Sequence, residues 1–242
     1  MKIMSPAKNQ TIRCLRCGNS YFPQGLNMPV VACPVVGCNY TFNPMEPPLV
    51  LDDPEAANII AGTADPHLLF GRDDMGEVIV IGLEGSPTTV SIPASVNGRA
   101  VMGVAPRAFA DQTQLRRVTM PDTLATIGEE AFAGCTDLES VTFGTGLTLL
   151  DKACFRDCTA LDCVILPANL QEIGRDAFAR CTALEQVTLK GQVQVIRDGA
   201  FTLCSSLSCF AYARRPQRIA SSAFAACYAL PQNVQDELFP QG

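Results

Sequence analysis

The chain has 242 residues and a formal net charge of −6, from 18 Lys and Arg against 24 Asp and Glu. This length suits one sizeable domain with a smaller one, and the acidic balance argues against wholesale binding of a phosphate backbone. No apolar run approaches membrane-spanning length, and residues 1–10 lack the apolar core of a secretory signal. We therefore expect a cytoplasmic protein that does not associate with membranes.

Two pairs of cysteines form the first motif along the chain. Two residues separate Cys14 from Cys17, four separate Cys33 from Cys38, and fifteen lie between the pairs. Paired thiols at such spacings are typical of tetrahedral thiolate metal sites, and four protein ligands leave no open position for catalysis. The pattern resembles a zinc ribbon with a longer second turn, which implies a structural Zn²⁺ ion held by these four residues. Four-sulfur sites also accept iron, so iron is an alternative.

The region around these cysteines is basic and aromatic. Before the first acidic residue, Glu46, its cations are Lys2, Lys8, Arg13 and Arg16. Its aromatic residues are Tyr21, Phe22, Tyr40 and Phe42. Aromatic side chains beside cations can stack on nucleic-acid bases, although packing around the metal is the favoured interpretation. Contact of the ribbon with nucleic acid is therefore kept as an alternative function.

A repeat dominates the remainder of the chain. Phenylalanine recurs every 23 residues, at Phe109, Phe132, Phe155, Phe178, Phe201 and Phe224. A small residue precedes each of them, cysteine follows three positions later in five of the six repeats, and leucine follows six positions later. The unit is A-F-x-x-C-x-x-L-x-x-V-x-L-P-x-x-L-x-x-I-G. A fixed interval of this size indicates stacked supersecondary units, whose repeated surface usually binds a partner.

Each 23-residue unit, which we call a rung, is predicted to hold two short segments. The L-x-x-V-x-L stretch ends in period-two alternation, which favours a short strand, and Pro121 or Pro167 then ends it. The Leu and Ile that follow, three positions apart, predict a second extended or turn segment on the same core. Gly128 and Gly174 suggest backbone turns with positive φ. Since one rung cannot bury its own apolar side chains, about six must stack.

The unit resembles the BspA-type leucine-rich repeat, a bacterial class, over about residues 77–230. That resemblance implies a curved, right-handed repeat solenoid, rich in β-structure, with a parallel sheet on one side and short helical or 3-10 turns. The predicted organisation is a zinc ribbon at residues 1–44, an acidic proline-containing linker at 45–76, and the solenoid with its terminal caps at 77–242. The linker is expected to hold one short helix beginning after Asp53.

The two ends of the solenoid depart from the repeat. Residues 78–81 are predicted to add a strand that closes the amino-terminal end, and Asn97-Gly98 to open a longer turn in an irregular first rung. At the other end, Leu230, Val234 and Leu238 fall at helical spacing after Pro231, which predicts a capping helix. A cap is needed because an uncovered terminal rung exposes the core.

Cysteines of the repeats are interpreted as reduced. Cys135, Cys158, Cys181, Cys204 and Cys227 occupy one equivalent inward position, here named the cysteine column, where a free thiol acts as a small buried apolar group. Cys163 and Cys209 fall at an outward position two rungs apart. These two are candidates for exposed, oxidisable thiols.

Positions seven, eight and ten after each Phe are predicted to face outward from the strands and to bind a partner. The candidate residues are Arg116, Arg117, Thr119, Glu139, Thr142, Asp162, Ile165, Glu185 and Thr188. Glu139, Asp162 and Glu185 form an acidic stripe that begins beside a basic pair, which favours a basic protein segment as partner. A merely solvated surface is the alternative interpretation.

An enzyme is not expected. The single histidine, His67, lies in the predicted linker, so the repeats supply no His for a nucleophilic triad, and no phosphate-binding loop motif is present. The predicted function is non-enzymatic protein–protein interaction or scaffolding, with the protein partner unidentified and the ribbon as a structural module. The alternatives are a nucleic-acid or ribosome-associated factor that acts through the ribbon, and an exported adhesin-like surface protein.

Overall fold

The computed structural model describes residues 67–239 and, in the segment before them, four two-residue strands. These are β1 (Ile12–Arg13), β2 (Ser20–Tyr21), β3 (Val31–Ala32) and β4 (Thr41–Phe42). Strand β1 pairs with β2 and β3 pairs with β4, both antiparallel.

Residues 67–239 form a β-solenoid whose strands follow the 23-residue period. The strands are β5 (Leu68–Arg72), β6 (Val78–Leu83), β7 (Thr89–Ser91), β8 (Ser95–Val96), β9 (Arg99–Val104), β10 (Arg117–Thr119), β11 (Thr126–Ile127), β12 (Ser140–Thr142), β13 (Leu149–Leu150), β14 (Cys163–Leu166), β15 (Glu172–Ile173), β16 (Gln186–Leu189), β17 (Val195–Ile196), β18 (Cys209–Tyr212) and β19 (Arg218–Ile219). One helix, α1 (Gln232–Leu238), follows them.

The strands stack into two sides of the solenoid, both parallel in the repeats. The L-x-x-V-x-L strands form the series β7-β10-β12 and β14-β16-β18, and the L-x-x-I segments form a longer sheet in the order β19-β17-β15-β13-β11-β9-β6-β5. Equivalent residues pair in register, as Val118 does with Val90 and Val141. The second segment of each rung is therefore extended, and the solenoid has strands on two sides, one more than the resemblance implied.

The A-F-x-x-C turns form the third side of the solenoid, here named the turn side. Hydrogen bonds from residue i+3 to residue i shape each turn; the Cys135 amide donates to the Phe132 carbonyl at 3.3 Å, and the Leu138 amide to the Cys135 carbonyl at 3.1 Å. Positive φ two positions after the Phe, as at Gly134 and Asp157, makes each a β-turn rather than the short helical or 3-10 turn that the resemblance implies. Adjacent turns are joined as well, because the Phe132 amide donates to the Cys154 carbonyl of the next rung at 2.7 Å.

The repeated phenylalanines stack through the middle of the solenoid. Ring centroids of successive members lie 4.7 to 5.4 Å apart, and their planes are within 14° of parallel. This separation is close to the spacing of neighbouring strands, about 4.8 Å, so each ring lies almost directly above the last. The five from Phe109 to Phe201 are fully buried. The sequence prediction of a phenylalanine core is confirmed, and we call this stack the phenylalanine column.

The amino-terminal end begins earlier than predicted. Strand β6 extends the second sheet as expected, parallel to β9, but β5 then pairs antiparallel to β6 and forms the next strand of that sheet. Residues 68–72 therefore pair with the second sheet, within the range that the sequence assigned to the linker. Leu68 and Phe70 were missed because a single antiparallel strand has no place in the 23-residue pattern; both are buried in the core.

The turn at Asn97-Gly98 is tighter than predicted. Strands β8 and β9 form an antiparallel hairpin, with Val96 opposite Arg99 and only these two residues between the strands. Asn97 and Gly98 have φ of 52° and 72°, as the type I′ turn favoured in two-residue hairpins requires.

The glycines at the end of the repeat unit also behave differently from the prediction. Gly128 and Gly174 do not have positive φ. In the turns, positive φ occurs two positions before and two positions after the Phe, as at Glu130 and Asp157. Close packing accounts for Gly128, because a Cβ there would lie 2.7 Å from the Pro106 nitrogen and 2.9 Å from the Val104 oxygen.

Helix α1 covers the carboxyl-terminal rung, as predicted. Leu230 and Leu238 are buried, and Val234 packs against the core. The guanidinium group of Arg215 donates to the last carbonyls of the helix, at 3.2 Å to Glu237 O and 2.8 Å to Leu238 O. A cation at a helix carboxyl terminus is favourable, so Arg215 stabilises the cap.

Candidate partner-binding face

The nine predicted partner residues lie together on one side of the solenoid, here named the strand face. It consists of the outward residues of β7, β10, β12, β14, β16 and β18 and the residue that precedes each strand. Seven of the nine are exposed, and Glu139 and Thr188 are half-buried. Register aligns them in columns, since Thr119 lies opposite Thr142, and Ile165 opposite Thr188. The structure thus brings together the residues that the sequence proposed.

Hydrogen bonding divides the strand face into two halves. Strands β7, β10 and β12 form one three-stranded sheet and β14, β16 and β18 another, with no strand pairing between β12 and β14. Phe143, which follows β12, packs edge-on against Phe155 of the next rung, with ring centroids 5.8 Å apart. The equivalent Tyr212 pairs in register with Leu189 of β16, so the size of the ring alone does not account for the interruption.

Ion pairs are few on the strand face. Of the eight salt bridges among described residues, seven lie on the turn side or on the second sheet: Arg107–Asp111, Arg107–Glu130, Lys152–Glu129, Arg156–Asp157, Arg175–Asp198, Arg180–Asp157 and Arg197–Glu172. The eighth joins Arg116 to Glu139 on the strand face at 3.7 Å. Arg117, Asp162 and Glu185 form no ion pair with any residue in the described range.

The two outward cysteines lie on the second half of the strand face. Cys163 and Cys209 both lie beside Gln186 in register, on opposite sides of β16. Two strand spacings, about 9.6 Å, exceed the usual Cα separation of a disulfide. Cys209 is exposed and Cys163 half-buried; partial burial and the nearby Asp162 carboxylate raise the pKa of Cys163. Cys209 is therefore the more accessible thiol.

The cysteine column is buried and reduced, as predicted, and it makes a contact that the sequence did not reveal. Each thiol donates to the carbonyl of the phenylalanine one rung earlier, with Sγ–O distances of 3.0 to 3.2 Å. Burial raises the pKa of Cys135 to about 12 and of Cys227 to about 11. These thiols are weak nucleophiles, because the thiolate is the reactive form. The sequence signal for this contact was the constant offset of 26 residues between each repeated Phe and the cysteine-column residue of the following rung.

The predicted metal ligands Cys14, Cys17, Cys33 and Cys38 lie outside the described residues. Within the range that the structure does describe, no group of three or more His, Cys, Asp and Glu side chains is arranged to hold a metal ion. His67 is exposed at the start of that range. No helix of the described part is long and apolar enough to cross a membrane.

These features define a leucine-rich-repeat solenoid. The sequence model of the family "BspA type Leucine rich repeat region" matches residues 103–231 in six copies. The chain belongs to that family. No curated protein matches the chain.

Solved structures support the fold. The leucine-rich repeat protein of T. pallidum is 25% identical with a TM-score of 0.59, and the match covers 74% of this chain and 97% of that one. A leucine-rich cell surface protein of Faecalibacterium prausnitzii is 26% identical with a TM-score of 0.56, over 67% of this chain and 42% of that one. The present chain thus matches less than half of the second protein's length.

Proposed function

We propose that this protein is a non-enzymatic scaffold that binds a protein partner through the strand face. The observation that carries the proposal is a set of charged residues held at fixed positions beside in-register strands. Arg117, Asp162 and Glu185 on the strand face have no ionic partner among the described residues. Charges held on a rigid surface without partners are available to select a complementary one.

Rigidity of the solenoid supports the same role. The phenylalanine column and the in-register strands fix the outward side chains at regular spacing. A preorganised surface loses little conformational entropy when it binds. Repeat solenoids are known for such extended binding surfaces, and both reported neighbours are leucine-rich repeat proteins.

For the amino-terminal segment we propose a structural metal module with Cys14, Cys17, Cys33 and Cys38 as ligands of Zn²⁺. In the sequence, the first cysteine pair falls between the antiparallel strands β1 and β2, and the second pair between β3 and β4. A pair of hairpins that each carry two thiols is the arrangement that a tetrahedral thiolate site uses. Iron is the alternative metal.

Two locations of action are proposed as competing hypotheses. The first is the cytoplasm, and the second is the cell surface, which the likeness to a cell surface protein of F. prausnitzii supports. Fractionation of native cells, with an antibody against the full chain, decides between them. Recovery in the soluble interior fraction supports the first, and labelling of intact cells supports the second.

The binding function is tested by affinity purification from native cells after nuclease treatment. The variant Thr119→Arg/Thr142→Arg adds bulk and charge at two exposed positions of the strand face, and we expect it to lose the protein recovered with wild type. Thr113→Arg/Thr182→Arg makes the same change at exposed positions of the turn side and should retain it. Equal recovery with both variants would contradict the assignment of the strand face, and recovery that depends on nucleic acid would favour the alternative function.

A further inference from the structure

We infer that the second half of the strand face, on β14, β16 and β18, binds an extended basic protein segment that carries one large apolar residue. This inference rests on the proposed function and specifies the chemistry of the partner. It commits to the half of the face that contains Asp162, Ile165 and Glu185, and it excludes Arg116, Arg117 and Glu139 from the core of the site.

Charge separates the two halves. In the first half, Arg116 pairs with Glu139 at 3.7 Å, so the acidic stripe predicted from the sequence loses its first member to an internal contact. Arg117 adds a positive charge to that half. In the second half Asp162 and Glu185 precede neighbouring strands, with the Glu185 amide donating to the Asp162 carbonyl at 2.8 Å. Both carboxylates lack an ionic partner in the described chain, so this half attracts a cation.

An exposed apolar residue lies beside these carboxylates. Ile165 is 48% exposed and occupies a column that holds Ser91, Thr119, Thr142 and Thr188 in the other rungs up to β16. On the neighbouring strands β16 and β18, the residues at the same register position are Thr188 and Ala211. Cys163, Gln186 and Cys209 of the adjacent column are uncharged. An apolar centre with acidic residues along one margin has the anatomy of a protein interface.

The geometry fixes the spacing of the partner's side chains. Ile165 lies three residues after Asp162, which corresponds to roughly 10 Å along a strand. Side chains of an extended segment face the same side at every second residue, so a segment running along β14 places its cation two or four residues from its apolar residue, within reach of a long Lys or Arg side chain. Lys190 follows β16 and lies at the opposite end of the strand from Glu185. Because Lys190 repels a cation, the partner's cation must lie at the end where the strands begin.

The decisive experiment is selection of random displayed peptides on the immobilised full-length protein. We expect enrichment of peptides in which one or three residues separate Lys or Arg from a large apolar residue. For the enriched peptide, synthesised and measured by calorimetry, Ile165→Thr should weaken binding about tenfold, as for loss of a central apolar anchor. Asp162→Asn/Glu185→Gln should weaken it by a similar factor and reduce its dependence on salt.

Matched control variants make the same kinds of substitution elsewhere on the surface. Tyr228, on the turn side, is an apolar residue that is 84% exposed. Tyr228→Thr replaces it by the residue that is common in its column. Glu84→Gln/Asp137→Asn removes two exposed carboxylates that form no described ion pair. Neither control should change the affinity of the peptide. Both strand-face variants should keep the wild-type unfolding midpoint, since no buried group changes.

Several outcomes would overturn the inference. The selection would contradict it by enriching acidic or uncharged peptides, or by enriching no peptide at all. Equal affinity of the strand-face variants and the control variants for the peptide would also contradict it. Zero-length cross-linking of the protein alone that joins Lys2 or Lys8 to Asp162 or Glu185 would identify the chain's own basic amino-terminal segment as the occupant. A native partner whose recovery is lost with Thr119→Arg/Thr142→Arg but unaffected by Ile165→Thr and Asp162→Asn/Glu185→Gln would leave the proposed function standing without this site.

Discussion

The thiol of Cys158 donates a hydrogen bond to the carbonyl oxygen of Phe132 in the preceding rung, with 3.2 Å between the sulfur and the oxygen. That carbonyl also accepts the amide of Cys135 at 3.3 Å. It is buried beside the phenylalanine column, where water cannot supply a second donor. Cysteine suits the position because it combines a small apolar volume with a weak donor.

Truncation of Cys158 tests this contact. Cys158→Ala removes the donor and leaves a small cavity, and we expect a loss of about 1–2 kcal/mol in the free energy of unfolding in urea. Thr182→Ala, at an exposed position of the turn side, should change it by less than about 0.5 kcal/mol. Indistinguishable midpoints for the two variants would show that the thiol bond and its packing contribute little.

The phenylalanine column should be far more sensitive. Phe155 is fully buried and stacks on Phe132 at 5.0 Å and on Phe178 at 5.3 Å. Phe155→Ala should therefore cost roughly 3–5 kcal/mol, measured by urea unfolding followed by circular dichroism. Tyr228→Ala serves as the exposed aromatic control, because its ring is 84% exposed. A loss below about 1 kcal/mol for Phe155→Ala would contradict the central role of the column.

Alkaline pH should destabilise the solenoid. Burial raises the pKa of Cys135 from 9.0 to about 12, so the folded state holds this thiol protonated while the unfolded chain ionises it above about pH 9. The stabilisation is complete below that pH and is lost as pH rises towards 12, at about 1.4 kcal/mol per pH unit for each such thiol. Urea midpoints between pH 8 and pH 10.5 measure the effect.

In Cys135→Ala the fall of the urea midpoint with pH should be shallower than in wild type, because one titrating group is gone. Cys209→Ala is the control, since this cysteine is exposed; its pH dependence should match wild type. A wild-type midpoint that stays constant up to pH 10.5 would contradict burial of the thiols as the structure shows it.

The proposed metal module gives an independent prediction. Cys14→Ser or Cys33→Ser in the full chain should abolish bound zinc, as measured by mass spectrometry of the metal content. The thermal unfolding of the solenoid should stay within a few degrees of wild type, because the four cysteines lie outside its rungs. Cys209→Ser, which removes an exposed solenoid thiol, should keep the full metal content. Retention of metal by Cys14→Ser would refute the ligand assignment.

Much of the solenoid was predictable because its repeat is regular. A constant interval of 23 residues places the same side chain at the same height of every rung, so Phe155, Leu161 and Val164 could be assigned to the core from one copy and transferred to the others. Period-two alternation placed Thr142 and Ile165 on the outward side. Residues outside the interval, such as those of β5, carried no such information.

The sequence by itself therefore determined the rung, its core positions and its outward columns, since periodicity fixes which side of a chain is buried. Tertiary structure decided which neighbours meet across rungs. The pairing of Arg116 with Glu139, the interruption between β12 and β14, and the thiol bond from Cys158 to Phe132 each depend on separations of a few ångströms between stacked backbones. Periodicity brings residues to adjacent rungs, whereas ion pairs and hydrogen bonds require distances that only the packed chain defines.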